Sequence, residues 1–401
     1  LKTAAVSSVT GDFLGDCLLI FGAVWISQYT VRLGPPEYFA IYVMAFVVIG
    51  SVISDSVLKG LASALLGVLI SFVGFSEITG ETRYDFGSID LMSGFTLPPL
   101  LIGLLVVSEV LLQSARRSPD GVADSRGDRQ RARYSFADFK TCLPVSLRSS
   151  AIVALIGALP GLGSSVAAFV AYGEEKRRAG PDAKWGTGVI QGVAAPESAN
   201  NAVNGPSMIP VLTLGIPGTT VAAVLIGVFV IHGVQVGPSI FQTSRDLVYG
   251  LFAAGLIAIV TYGLIGYFGG GLIGRIIAVV PVRVIYPTVF LLSIVAAYSL
   301  RNSLFDVLVV LVAGVAGFFM RKRGYSPAAL IIAFILAGGA EDTLTQSMMM
   351  SSNGMLIFLE RPAALVFFAI GLAAFAWRLR VSLRAEARAI SSSSHSTGSV
   401  R

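Results

Sequence analysis

The chain has 401 residues, of which 54% are hydrophobic and only 13% are charged, and its mean hydropathy is +0.78. A soluble protein carries about a quarter charged residues, so this composition excludes an ordinary soluble domain and predicts a polytopic membrane protein. The formal net charge is +6, but the basic residues fall in loops and form no stripe with interleaved aromatic side chains, so we predict no nucleic-acid partner.

About ten apolar segments are long enough to cross a bilayer, and the predicted fold class is therefore all-α. We expect membrane lipids to surround these helices. The two cysteines, Cys17 and Cys142, are interpreted as free thiols. The predicted spans are 5–27, 38–54, 57–75, 95–113, 207–232, 246–270, 284–300, 304–320, 325–340 and 362–378.

Residues 147–173 form a further apolar stretch, with basic sequence both before and after it. Because Lys and Arg concentrate in cytoplasmic loops, both of its ends are predicted to face the cytoplasm. The stretch is therefore predicted to be a re-entrant helical hairpin that turns at Pro160-Gly161, and the C-terminus is predicted to be cytoplasmic. In the alternative, the stretch crosses the membrane fully and exports the charged cluster from Glu174 to Lys184.

These elements divide the chain into five predicted regions, separated by changes in composition. The linker is rich in Arg, Asp, Ser and Gly, and the tail is basic and then rich in Ser. The regions are front membrane helices at 1–113 (the remainder of a first repeat region), a cytoplasmic linker at 114–146, the hairpin with a discontinuous helix at 147–232, C-terminal membrane helices at 233–378 and a disordered cytoplasmic tail at 379–401.

Two Pro-Gly pairs interrupt apolar stretches and are predicted to break helices, since Pro removes a backbone donor and Gly relaxes the chain. Inside a bilayer such breaks are tolerated where they line a wet cavity, as in the discontinuous helices of secondary transporters. A half-helix that starts after a break offers N–H groups to an anion, and the carbonyls of Leu159 and Ile216 before the breaks can take a cation. The alternative is a plain kink whose hydroxyls satisfy the freed backbone groups. The predicted substrate-binding residues are Pro160, Gly161, Gly163, Ser164, Ser165, Pro217, Gly218, Thr219 and Thr220.

Four polar residues between the breaks, Glu197, Asn200, Asn201 and Asn204, have the spacing of one helix face. Carboxylate and amide oxygens suit a hard cation, and amide N–H groups can hold a substrate carboxylate. We predict that Glu197 and Asn201 bind the coupling ion and that Asn200 and Asn204 bind the substrate. Alternatively, Pro196 starts a helix, and the amides pack between helices or lie at the interface.

Several motifs occur in the order and spacing of a known family. They are Gly157-Ala-Leu-Pro-Gly-Leu-Gly163, Phe169-Val-Ala-Tyr-Gly-Glu-Glu-Lys176, Gly186-Thr-Gly188, Gly192-Val-Ala-Ala-Pro-Glu-Ser-Ala-Asn-Asn-Ala202 and Ile209-Pro-Val-Leu-Thr-Leu-Gly-Ile-Pro-Gly218. This core resembles the large membrane subunit of tripartite tricarboxylate transporters, the TctA family. Related patterns at 34–39, 80–87, 298–306 and 352–362 extend the resemblance over nearly the whole chain.

The resemblance implies a carrier of the bacterial inner membrane for carboxylate anions such as citrate, by symport with sodium or protons. It implies an architecture of inverted repeats, a small membrane subunit and a periplasmic substrate-binding protein as partners, and no cofactor beyond a possible Na⁺. The family also has a front segment with its own pair of Pro-Gly breaks, related to the two breaks described above as an internal repeat. This sequence opens at Leu1, so we expect that segment to be missing, and Thr345 stands where the family pattern has a basic residue.

Asp12 and Asp16 lie i, i+4 in the first apolar segment and are a candidate proton or cation site. Alternatively, the first helix is displaced and both carboxylates lie near the cytoplasmic interface. We favour this second interpretation, because nothing in the family pattern recommends either residue.

Enzyme functions find little support in the sequence. No phosphate-binding loop, His-Glu-x-x-His motif or Gly-x-Ser-x-Gly elbow is present, so we predict that the chain is not an enzyme. Intramembrane catalysis by the Glu197 cluster is one alternative. A non-transporting structural subunit or remnant, suggested by the missing front segment, is the other.

Overall fold

The computed structural model describes residues 2–52, 56–75, 80–115, 135–157, 163–180, 185, 188–237, 239–272 and 282–396. Helices dominate these ranges, and the single sheet within them has two strands of two residues each, paired antiparallel with Gly74 opposite Arg83. The chain is therefore an all-α polytopic membrane protein, as predicted.

The described residues of the first third of the chain form six helices and the two strands. They are α1 (Lys2–Thr30), α2 (Pro35–Val52), α3 (Val57–Ser71), β1 (Gly74–Phe75), β2 (Thr82–Arg83), α4 (Ile89–Met92), α5 (Leu97–Leu101), a π-helical turn (Ile102–Val107) and α6 (Ser108–Ala115). The middle contains α7 (Phe136–Gly157), α8 (Gly163–Ala179), α9 (Gln191–Ala202), α10 (Asn204–Leu214), α11 (Thr220–Ile231), α12 (Ile240–Thr243), α13 (Arg245–Leu264) and a second π-helical turn (Ile265–Gly269). The last third contains α14 (Val282–Arg301), α15 (Leu304–Lys322), α16 (Pro327–Met349), a 3₁₀ turn (Gly354–Leu356), α17 (Ile357–Glu360) and α18 (Pro362–Ser396).

Seven of the described helical stretches are long and apolar enough to cross a membrane. Three shorter apolar helices, Pro35–Ser51, Val57–Ser71 and Val221–Ile231, correspond to other predicted spans. The total of about ten spans stays a prediction. The seven stretches are Lys2–Thr30, Leu97–Ala115, Arg245–Leu272, Val284–Arg301, Leu304–Lys322, Pro327–Met349 and Pro362–Arg380.

The predicted span at 207–232 is interrupted, as its Pro-Gly pair indicates. Helix α10 ends at Leu214, and Gly215 follows in the left-handed region at φ 73°, where a glycine has no steric penalty. Helix α11 starts anew at Thr220, and the Thr219 hydroxyl accepts a hydrogen bond from the Ala222 N–H at 3.1 Å. The helix is therefore discontinuous at 215–219.

The chain forms two compact units, residues 1–32 with 113–291 and residues 33–112 with 292–401. In the first unit, α1 packs against α7, α9, α10 and α13. In the second unit, α16 packs against α2 and α3, and α18 packs against α2. This division differs from the linear one predicted from the sequence, because α1 packs with helices that follow the linker.

The last helix continues to Ser396, into the stretch from 379 for which the sequence predicts a disordered tail. The prediction of disorder relied on the basic charge and the serines of this stretch. Helix propensity accounts for the difference, since residues 372–396 contain no Gly or Pro, and Leu, Arg, Ala and Glu predominate before the serines.

Candidate functional site

Helix α1 lies unusually close to α9 and α10, because small residues line its contact face. Every fourth residue from Ser7 to Ser27 lies on this face and is buried, and all of them except Leu19 are small. A Cβ on Gly11 would overlap the backbone carbonyl of Ser198, and one on Gly15 would lie 2.8 Å from that of Ala202. The backbones therefore meet with no room for a side chain between them.

The close approach brings a polar stripe of α1 to the cluster predicted from the sequence. Ser8 Oγ donates a hydrogen bond to Glu197 Oε2 at 3.2 Å. Asn204 Nδ2 donates to Asp12 Oδ1 at 2.9 Å. The second oxygen of Asp12 accepts a hydrogen bond from the Tyr262 hydroxyl of α13 at 2.8 Å. Two predicted site residues thus contact side chains of α1.

Sequence reasoning left Asp12 outside the predicted cluster, but its carboxylate accepts a hydrogen bond from Asn204 of that cluster. Asp16 lies one turn further along α1 and faces α13, where a Cβ on Gly255 would come within 2.8 Å of its Oδ2. A partial signal was present in the i, i+4 spacing of the two aspartates. The partner residues on α10 and α13, which are 192 and 250 residues away, were not inferable from that spacing.

The predicted amide face is divided between two helices. Helix α9 runs from Gln191 to Ala202, and α10 begins at Asn204, with a turn at Val203 between them. Asn201 Nδ2 donates to the backbone carbonyl of Glu197 at 2.9 Å, so part of this amide is used within α9. Glu197, Asn200 and Asn201 are half-buried, and Asn204 is exposed.

Pro196 lies at the sixth position of α9 rather than at its start. The alternative in which Pro196 begins a helix and Glu197 belongs to its first turn is therefore wrong. Glu197 lies in the interior of α9, within reach of Ser8 on α1.

The second break presents a buried backbone segment. Ile216, Pro217 and Gly218 are buried, and Thr219 is half-buried. A Cβ on Gly215 would lie 3.3 Å from the carbonyl of Val236, so this segment passes close to the loop after α11. Thr220 is the first residue of α11. Among the described residues, no hydrogen bond joins 215–219 to Glu197 or Asn204.

The first break falls largely outside the described residues, including Leu159, Pro160 and Gly161. Helix α8 begins directly after it, so Gly163, Ser164 and Ser165 are its first three residues, as expected for a half-helix that starts at the break. Ser164 is half-buried.

The two helices around the first break are joined by an ion pair that sequence reasoning missed. Arg148 of α7 donates two hydrogen bonds to the buried carboxylate of Glu175 on α8. The pair borders a cavity of about 410 Å³ that Trp185 and Gln191 also line. The signal in the sequence was an Arg inside the apolar stretch 147–173, because a charged side chain in such a stretch needs a partner.

No set of three or more His, Cys, Asp or Glu side chains within the described ranges is arranged to hold a metal ion. The contacts of Asp12 and Glu197 are instead with hydroxyl and amide donors. These are groups that can exchange partners with a small ion, a proton or a polar substrate.

Comparison with known families decides the class of protein to which this site belongs. The profile of the Tripartite tricarboxylate transporter TctA family matches residues 1–332. The chain belongs to the TctA family. It is thus a multi-pass membrane subunit of a tripartite tricarboxylate transporter, a system with further subunits, and the predicted resemblance is confirmed.

Two proteins of Agrobacterium vitis are similar to this TctA chain. An uncharacterized 52.8 kDa protein in the TAR-I ttuC' 3' region is 32% identical over 391 residues, which cover 96% of this chain and 76% of that protein. An uncharacterized protein in the TAR-II ttuC' 3' region is 34% identical over 237 residues, which cover 58% of this chain and 96% of that protein. No solved structure matches the chain.

Proposed function

We propose that this chain carries tricarboxylate or related carboxylate anions across a bacterial inner membrane by symport with sodium ions or protons. Its proposed partners are a small membrane subunit and a periplasmic binding protein that delivers the substrate, and its C-terminus is proposed to be cytoplasmic. The observation that carries the proposal is a set of hydrogen bonds among apolar helices, from Asn204 and Tyr262 to Asp12 and from Ser8 to Glu197. Ionisable groups at membrane depth mark ion and substrate pathways.

The charge balance of this cluster supports coupling to a cation. Among the described residues, no Lys or Arg forms an ion pair with Asp12, Asp16 or Glu197. Two unit charges 4 Å apart interact by about 4 kcal/mol in a partly buried setting, so a carboxylate substrate would be repelled here. A bound Na⁺ or proton removes that repulsion, and substrate and cation then enter together.

The proposed cation ligands are the side chains of Glu197 and Asn201 and the carbonyls of Leu159 and Ile216. Oxygen ligands of this kind suit a hard cation. The half-buried position of Glu197 and its contact with Ser8 on a neighbouring helix support its place in this set.

The proposed substrate ligands are side-chain amides and the starts of two half-helices. The N–H groups at a helix start, together with its positive dipole end, favour a carboxylate. Capping uses the acceptor side of the Thr219 hydroxyl and leaves its proton for a substrate oxygen. The set comprises Asn200, Asn204, Pro160, Gly161, Gly163, Ser164, Ser165, Pro217, Gly218, Thr219 and Thr220.

The test is uptake of labelled citrate by the complete transporter in proteoliposomes, with an imposed Na⁺ gradient, an imposed pH gradient or neither. We expect Glu197→Gln to assemble normally and to lower gradient-driven uptake at least about tenfold, because the amide cannot take up a proton or balance a cation. Glu174→Gln on α8 is the matched control, since the ion pairs that Glu174 forms with described residues are with Arg177 and Arg178 of its own helix.

Full gradient-driven uptake by Glu197→Gln would assign this carboxylate to helix packing. Chemical conversion of the citrate would favour an enzyme. Neither uptake nor conversion by the unaltered transporter would favour a structural subunit.

A further inference from the structure

The side chain of Asp12 connects three helices, because its two carboxylate oxygens accept hydrogen bonds from different partners. Asn204 of α10 donates to Oδ1 over 2.9 Å, and the Tyr262 hydroxyl of α13 donates to Oδ2 over 2.8 Å. Asp12 itself lies on α1. The three residues lie on three different helices, so the arrangement depends on tertiary packing.

The contact with Asp12 determines how the side chain of Asn204 is turned. An ionised carboxylate only accepts hydrogen bonds, so the amide must direct its NH₂ group toward Asp12. The carbonyl oxygen of the same amide then points away from Asp12. Asn204 is exposed, so this oxygen is available to a ligand.

Tyr262 restricts the carboxylate in turn. Its hydroxyl proton is donated to Oδ2, so Asp12 cannot rotate about its terminal bond without losing that hydrogen bond. Oδ1 is therefore kept toward Asn204.

We infer that Asp12 is a positioning residue which, held by Tyr262, fixes the amide of Asn204 so that its carbonyl oxygen is presented to the ligand. The inference rests on the proposed function and refines it, since a carbonyl oxygen recognises an electropositive group. That group is the coupling cation, or a hydroxyl or protonated carboxyl of the substrate.

The test measures citrate uptake by the complete transporter and determines Vmax, the KM for citrate and the half-saturating cation concentration. In Asp12→Asn, the oxygen of the new amide can still accept the hydrogen bond from Tyr262. Its NH₂ group, however, faces the NH₂ group of Asn204, so the amide of Asn204 must flip. We expect the half-saturating concentration of the recognised species to rise about tenfold, with Vmax changed less than about threefold. Tyr262→Phe should raise it about threefold, and Tyr249→Phe on the same helix, remote from Asp12, should leave it unchanged.

An exchange variant distinguishes positioning from packing. Combining Asp12→Asn with Asn204→Asp restores a donor opposite an acceptor and again presents an oxygen to the ligand. We expect this double variant to recover the affinity that Asp12→Asn loses, which a packing role would not produce. A rise in the cation constant identifies the cation as the recognised group, and a rise in the citrate KM identifies the substrate.

Unchanged constants in both Asp12→Asn and Tyr262→Phe, with normal citrate uptake, overturn the inference and leave the proposed function standing. A double variant no better than Asp12→Asn also overturns it. Absence of gradient-driven uptake in the unaltered transporter overturns the proposed function, and the inference falls with it.

Discussion

Arg148 of α7 and Glu175 of α8 are joined at two points, with 2.8 Å from Nε to Oε1 and 2.7 Å from Nη2 to Oε2. Arg148 lies nine residues before the end of α7 at Gly157, and Glu175 lies twelve residues after the start of α8 at Gly163. Since the pair is roughly equidistant from the chain between the helices, α7 and α8 run antiparallel.

We expect Arg148→Ala to destabilise the protein, because it leaves the buried carboxylate of Glu175 without a partner. The cost should be about 2 kcal/mol, since Arg148 is partly exposed and water can reach the site. Thermal unfolding in detergent measures it. Arg177→Ala is the control, because its side chain is 77% exposed and its ion pair with Glu174 should contribute less than about 1 kcal/mol. Equal effects of the two substitutions would contradict the prediction.

The antiparallel pair leads to a topological prediction, that both ends of the hairpin face the cytoplasm. Lys140 near the start of α7 and Arg178 near the end of α8 are both exposed. With Cys17 and Cys142 replaced by alanine, cysteines placed singly at 140 and 178 should react with an impermeant maleimide only from the cytoplasmic side. Labelling from opposite sides would establish a full crossing.

Gly11 should tolerate no side chain. A methyl group there meets the backbone carbonyl of Ser198, which cannot move without shifting α9, so Gly11→Ala should cost about 2 kcal/mol or more. Gly250→Ala on α13 is the matched control, because a Cβ at Gly250 has nothing within 4 Å. Thermal unfolding compares the two variants, and similar stability would show that α1 can separate from α9 at little cost.

The turn around Asp85 should depend on pH. Hydrogen bonds from the Thr82 hydroxyl and the Gly87 N–H lower the pKa of this exposed carboxyl below its ordinary value of 3.8. Because the pKa is lower in the folded turn, the turn is favoured above 3.8 and loses that advantage as the pH falls through the folded pKa. Hydrogen exchange of peptide 82–88, corrected for intrinsic rates, should show protection that fades in acid. In Asp85→Asn this pH dependence should be absent.

The features encoded in neighbouring residues were accessible from the sequence. Pro217-Gly218 specifies its own break, because no partner is needed to remove a helical hydrogen bond. Thr219 and Thr220 were correctly placed at the start of the following half-helix. Membrane-length apolar runs likewise predicted the helices, since length and hydropathy suffice for that assignment.

The features that depend on distant contacts were not accessible. The π-helical turn at Ile102–Val107 has an ordinary apolar sequence, and its position depends on packing, with a Cβ on Gly103 coming within 2.7 Å of Ala313. The contacts of Asp12 were not predicted, because its donors, Asn204 and Tyr262, are 192 and 250 residues distant. The helical periodicity of α1 alone cannot identify partners at such separations.

The packing of α1 against α9 and α10 also determines when the cluster can form during synthesis. From Thr30 to Gln191, the start of α9, the ribosome adds 161 residues (191 minus 30). At about 5 to 20 residues per second, this takes roughly ten to thirty seconds. Throughout that interval the carboxylate of Asp12 has neither of its donors. We therefore expect α1 to stay near water or beside the insertion machinery until its partner helices have been synthesised.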